Sequence, residues 1–223
     1  MPLLFVLIFL CIIDSVTVIV SRYKGRTATG HITKVLINPL FYTTLFCYFI
    51  YHNVDPQEYI ILLCPMAFYT IGDILMNPNG KRLYFLLGQL AFAIGHLCMM
   101  HFWLRYGVSI AFFEKGILIS LAMYIAFAVA VYKRSKRKRS LLYFLPFSLV
   151  LFGLIASSIG TYNGLLPTAL RTFGALCITL SSGSIGINET FDYQIPDYVV
   201  TILYVVANAL FVISASLSIM PSI

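Results

Sequence analysis

Apolar positions along this chain come in long unbroken runs rather than in the period-2 alternation of a half-buried strand. Eight runs approach the roughly 20 apolar residues that a helix needs to cross a hydrocarbon core of about 30 Å. They cover approximately residues 2–20, 35–51, 59–76, 83–104, 110–132, 141–160, 166–187 and 198–220. Turn-forming pairs punctuate them, among them Asp55-Pro56, Asn77-Pro78, Asn79-Gly80, Asn163-Gly164 and Ile195-Pro196. A membrane β-barrel would show short alternating segments, whereas these runs are apolar on every face. The pattern predicts an all-α, polytopic bundle of about eight transmembrane helices, with residues 1–223 forming a single transmembrane domain.

Composition supports this picture. Of the 223 residues, 60% are hydrophobic and 10% charged, and the mean hydropathy is +0.91. Soluble domains carry about 25% charged residues, so this chain lacks the polar groups to cover itself in water. A soluble enzyme, a disordered chain and a disulfide-rich secreted module are excluded. Cys11, Cys47, Cys64, Cys98 and Cys177 are scattered through the apolar runs. They read as small hydrophobes, not as a disulfide framework or metal cluster. The first run has no preceding positive region, so it is expected to be a retained span rather than a cleaved signal.

Charge then orients the spans. The first, third and fifth connections hold 12 of the 15 Lys and Arg residues: Arg22, Lys24, Arg26 and Lys34; Lys81 and Arg82; Lys133, Arg134, Lys136, Arg137, Lys138 and Arg139. Basic connections stay on the cytoplasmic side, which places the odd connections there and both termini opposite. The run from Lys133 to Arg139 is expected to contact anionic lipid, with about 1 kcal/mol available per basic residue. Between two spans it is a poor nucleic-acid patch, and no nucleic-acid partner is expected.

Few polar residues interrupt the spans, and an ionisable one costs at least about 2.5 kcal/mol at mid-helix unless it has a partner, a cavity or a task. Asp73 lies about one turn from the inner end of the third span, Asn38 near that level on the second, and Ser181 and Ser182 near it on the seventh. Three helices thus deliver polar groups to one depth, as a pocket entered from the inner leaflet requires; wetting of helix ends is the plainer alternative. On the fourth span Gly88-Gln89 and Gly95-His96 are seven residues apart, about two turns, so they share a face. The glycines permit close packing, and Gln89 and His96 serve either as interhelical glue or as pocket wall. Asn208 is a further polar residue within the eighth span. A structural ion pair between Asp14 and Arg171 stays open.

No metal cage follows, because only four histidines are present, dispersed along the chain. Neither a Gly-x-Ser-x-Gly elbow, a phosphate-binding loop nor a dinucleotide fingerprint occurs, and no cofactor is expected. A serine nucleophile would need a base, and only His96 is available.

The stretch YTIGDILMNPNGKRLYFLLGQLAFAIGHLCMMHFW resembles the signature of the lysoplasmalogenase-like (YhhN-like) family of eight-span membrane proteins. Gly72-Asp73-Ile74-Leu75 matches its Gly-Asp-x-Leu-Leu element. Gly88, Phe92 and Gly95-His96 match the following span, with Met99 where an aromatic is usual. SRYKGR is similar to the family's basic exit from the first span, Gly174-Ala175 through Ser181-Ser182 to its seventh, and Tyr204 through Asn208 to Ser214 to its last, where Gln or His usually stands in place of Asn208. Two positions depart from the pattern: Asn38-Pro39 where Lys-Pro is usual, and Ser181-Ser182 where Ser-Asp or Ser-Asn is common.

The resemblance implies hydrolysis of the vinyl-ether bond of lysoplasmalogens to a fatty aldehyde and a glycerophospho-head group. Such ethers are protonated at carbon to give an oxocarbenium ion that water captures. The reaction asks for a general acid kept from ionising by desolvation, and for negative or dipolar groups beside the cation. Within that reading Asp73 is the acid or the cation stabiliser. Ser181, Ser182 and Asn38 position water or head group, and His96, Asn208 and Gln89 complete the lysolipid site. A family member that has lost a cation and a carboxylate, and that binds or moves lysolipid without cleaving it, is the alternative; a small-solute transporter is less attractive without an internal repeat. Oligomeric state is not legible.

Overall fold

The computed structural model describes residues 2–76, 82–105, 107–135, 138–191 and 194–219. Among the described residues the chain is helical throughout, without strands. The helices are α1 (Pro2–Tyr23), α2 (Thr27–Tyr51), α3 (Pro56–Tyr59), α4 (Leu63–Leu75), α5 (Arg82–Leu104), α6 (Ile110–Arg134), α7 (Lys138–Gly160), α8 (Leu166–Thr190) and α9 (Asp197–Ile219). A 3₁₀ turn, Ile60–Leu62, joins α3 to α4, and the three pieces together make the third span. Among the described residues, eight helical segments are long and apolar enough to cross a membrane. Lys81, Lys136, Arg137, Asp192, Met220 and the Asn77–Gly80 breaker lie outside the described residues.

Two boundaries depart from the apolar pattern for physical reasons. The apolar run of the second span starts at residue 35, yet α2 starts at Thr27. Gly30 explains the extra turns: a Cβ there would stand 3.0 Å from Arg22 Nε. Its absence lets the Arg22 side chain lie across the start of α2. Gly25, at φ +68°, turns the chain between α1 and α2 in a conformation that other residues adopt at a cost. In the third span, Pro65 cannot donate to the Ile61 carbonyl and its ring crowds the preceding turn. The helix tightens to 3₁₀ geometry at Ile60–Leu62 just ahead of it. Asp55 caps the start of α3 by accepting from Gln57 N at 3.0 Å.

Six helices form a closed ring, in which α2, α4, α5, α7, α8 and α9 each pack on the next and α9 returns to α2. Outside it, α1 lies against α2 and α9, and α6 against α7; both keep most of their surface for lipid. Half of the ring is closed by Trp103, Phe102, Phe211, Leu151 and Leu154, all buried, with the Trp103 and Phe211 rings 5.3 Å apart.

Glycines set the closeness of α4 and α5. A Cβ on Gly72 would stand 2.7 Å from the Phe92 ring, one on Gly95 2.6 Å from the Tyr69 ring, and one on Gly88 3.2 Å from the Gly72 carbonyl oxygen. The sequence-based expectation that Gly88 and Gly95 mark a close contact is met. Gly95→Ala is expected to cost about 1–3 kcal/mol through overpacking against Tyr69, read as a lowered thermal midpoint in detergent.

Asp14 and Arg171 do not pair. Arg171, near the start of α8, donates to Thr161 Oγ1 at 3.1 Å and to Ser218 Oγ at 2.8 Å. Asp14 sits mid-way along α1, and the two lie at different depths.

Candidate functional site

At the end of the bundle that carries the odd connections, the ring opens around a cavity of about 640 Å³. Its mouth is charged, with Arg22, Lys34, Arg82, Glu189 and Asp197 on the wall. Arg22 Nη1 lies 3.7 Å from Asp197 Oδ2, tying the end of α1 to the start of α9. Arg82 donates to the Tyr143 hydroxyl, linking α5 to α7. Deeper in, the wall turns apolar through Phe85, Leu86, Phe92, Phe144, Phe147 and Ile185, with Gln89, Ser181, Ser182 and Tyr204 as the polar interruptions.

Against one wall stands a buried cluster built by three helices. Asp73 is fully buried near the end of α4. Its Oδ1 faces Lys34 Nζ at 3.1 Å. Its Oδ2 accepts from Asn38 Nδ2 at 3.0 Å and from the Tyr204 hydroxyl. Asn38 Nδ2 also lies 2.5 Å from the Tyr204 oxygen. Lys34 rides 4.9 Å above the Tyr204 ring, a cation–π contact. Lys34 and Tyr204 line the cavity, while Asp73 and Asn38 stand behind them. The carboxylate therefore reaches the cavity through one ammonium and one phenol.

Pairing is what makes this burial affordable. An isolated carboxylate in a hydrocarbon-depth core is costly; here one cation and two donors share the charge. With Asp73 ionised and Lys34 protonated, the cluster is neutral as a unit.

The structure gathers some of the sequence-predicted residues and separates others. Asp73 and Asn38 meet, as their common depth implied. Ser181 and Ser182 lie on the cavity wall formed by α8, and Ser181 Oγ donates to the Val200 carbonyl at 2.8 Å, stitching α8 to α9. Gln89 lines the cavity from α5. His96 and Asn208 do not line it. His96 lies beneath Phe92 and Phe147, each ring 6.4 Å away, with Nδ1 2.8 Å from the Tyr69 hydroxyl and Nε2 buried without a partner. Asn208 donates to the Tyr204 carbonyl at 2.9 Å, within its own helix.

Lys34 and Tyr204 are the residues that sequence reasoning missed. Lys34 reads as one more basic residue of the first connection, yet it sits on α2, one turn before Asn38. The spacing is a signal: residues four apart share a helix face, so a lysine there points where Asn38 points. The cation that seemed lost at Asn38 is supplied by Lys34.

The family model described as the YhhN family matches residues 33–215. The chain belongs to the YhhN family. The matched region takes in Lys34, Asn38, Asp73, Ser181, Ser182 and Tyr204, the whole of the cluster and its facing serines. No curated protein and no solved structure matches the chain. This chain holds its buried aspartate through a lysine one turn ahead of Asn38. Groups of three or more His, Cys, Asp or Glu able to hold a metal ion are absent among the described residues.

Proposed function

We propose that this YhhN-family protein hydrolyses the vinyl-ether bond of single-chain lipids of the lysoplasmalogen type, releasing a fatty aldehyde and a glycerophospho-head group. One observation carries the reading: a fully buried carboxylate stands directly behind a phenol and an ammonium that line a cavity with a charged mouth and an apolar interior. The volume falls in the range of about 300–1,000 Å³ usual for small-molecule sites. The head group rests at the mouth among Arg22, Arg82, Glu189 and Asp197, and the chain lies along the phenylalanines. The cavity opens at the end assigned to the cytoplasm by its basic connections, so substrate enters from that leaflet.

The chemistry follows from the charges. A proton passes from the Tyr204–Asp73–Lys34 cluster, through a group that faces the cavity, to the outer alkenyl carbon. The carbon–carbon double bond supplies the electron pair, and positive charge appears on the ether carbon and oxygen. The cluster, neutral before transfer, is left with one negative charge close to that cation, and this attraction is strongest where water is scarce. A water held by Gln89 or Ser182 adds to the ether carbon and returns its proton to the cluster. The resulting hemiacetal breaks its bond to the glycerol oxygen, which takes up the hydroxyl proton, leaving aldehyde and head-group alcohol. One water is consumed and the protein is unchanged.

The test is aldehyde release from a 1-alkenyl lysolipid by purified protein in detergent. Turnover is expected, and Tyr204→Phe is expected to lower it about 100-fold, the lower end of the effect of losing a proton-transfer group. Saturable lysolipid binding with no aldehyde from any alkenyl chain length would overturn the reading and make the chain a lipid binder.

A further inference from the structure

Cys64 Sγ and Cys98 Sγ lie 2.9 Å apart, on α4 and α5, at the end of the bundle away from the cavity. We infer that these two residues are a disulfide-forming pair, a modification site for thiol oxidants of the disulfide class that operates independently of the proposed hydrolysis.

The contact belongs to the packing register of the two helices. These run antiparallel, and successive pairs step along the interface: Gly72 with Gly88, then Tyr69 with Phe92 and Gly95, then Cys64 with Cys98. The glycines bring the two backbones together, and a disulfide needs such closeness because it spans only about 4.4–6.8 Å between Cα atoms. From 2.9 Å the sulfurs need to approach by a little under 1 Å to reach the bonded distance of about 2.04 Å. The other cysteines lack this arrangement: Cys11, for instance, pairs with the Thr44 hydroxyl at 3.3 Å.

Access is from the lipid. Both cysteines are half-buried, and their neighbours Leu63 and Leu97 are exposed, so the pair sits at the lipid-facing rim of the α4–α5 contact. Cys98 is six residues from the end of α5, about 9 Å by helical rise. The basic connections assign this end to the non-cytoplasmic side, where disulfides persist. In the exchange, one thiolate attacks a disulfide reagent and displaces half of it as thiol. The second thiolate then attacks the mixed disulfide and displaces the other half. Two protein thiols lose two protons and two electrons, and one reagent disulfide becomes two thiols.

The test uses the full chain in detergent and a lipid-soluble dipyridyl disulfide, with released thiopyridone followed by absorbance and the cysteines mapped by mass spectrometry. The expected result is a peptide linking Cys64 to Cys98, two hydrogens lighter than the separate peptides, with no pyridyl group on either, and a higher thermal midpoint than the reduced protein. In Cys64→Ser, Cys98 is expected to keep a pyridyl adduct, and Cys64 likewise in Cys98→Ser. Separate adducts on both cysteines of the wild-type protein, linkage to other cysteines instead, or no reaction at either would overturn the inference.

Discussion

Asp73→Asn is expected to lower aldehyde release by about 100- to 10,000-fold, the range for loss of a positioned acid–base group, while the protein still folds. The amide keeps the shape of the carboxylate and still accepts from Tyr204 and Asn38. What disappears is the anion. The cluster then carries the uncompensated charge of Lys34, and proton transfer to the alkenyl carbon would leave it neutral instead of negative beside a developing cation. The variant loses the attraction at the moment it matters, so the deficit belongs in kcat more than in KM. Folding is protected because Lys34 faces the cavity, where water and the Tyr204 ring solvate it. A variant that keeps more than one tenth of the wild-type kcat would remove Asp73 from the chemistry; one that does not fold moves the same question to Asp73→Glu, expected to fold with a displaced and impaired acid.

How much of this was legible in the sequence differs residue by residue. The eight spans were, because a hydrocarbon core demands long apolar runs and nothing else in a protein requires them so consistently. Asp73 and Asn38 were as well: counting residues from a helix end gives depth at 1.5 Å each, and matching depths on neighbouring helices brought them together. Hydropathy could not find Lys34, since the polar stretch Thr27–Lys34 looks like the end of a loop and only the packing of Arg22 over Gly30 shows it to be helix. Tyr204 was hidden for the opposite reason, as an aromatic in an apolar span is usually packing. His96 and Asn208 were visible as polar residues, but periodicity gives a face and not the neighbour across it. Phe92 and Phe147 occupy the space between His96 and the cavity. The 3₁₀ turn at Ile60–Leu62 was missed because Pro65 lies inside an apolar run that reads as continuous.

Moving the cation by one helical turn is the more searching experiment. Lys34→Gln is expected to reduce kcat by about 100-fold, as expected for removal of one charged group from a preorganised electrostatic site. Without the ammonium, the buried Asp73 carboxyl loses its ion-pair partner, and the neutral, balanced cluster is lost. Adding Asn38→Lys in that background is expected to recover at least tenfold. Position 38 is on the same face of α2, its present side chain already reaches Asp73 at 3.0 Å, and a buried ammonium there has Asp73 as its partner. Lys34→Gln with Asn38→Met fills the same space without charge and is expected to recover nothing. The division between kcat and KM then separates two roles. A loss in kcat places Lys34 in the chemistry through Asp73, whereas a loss confined to KM makes it a head-group contact at the mouth. An unchanged rate in Lys34→Gln would show that the 3.1 Å ion pair serves only to keep a buried carboxylate in place.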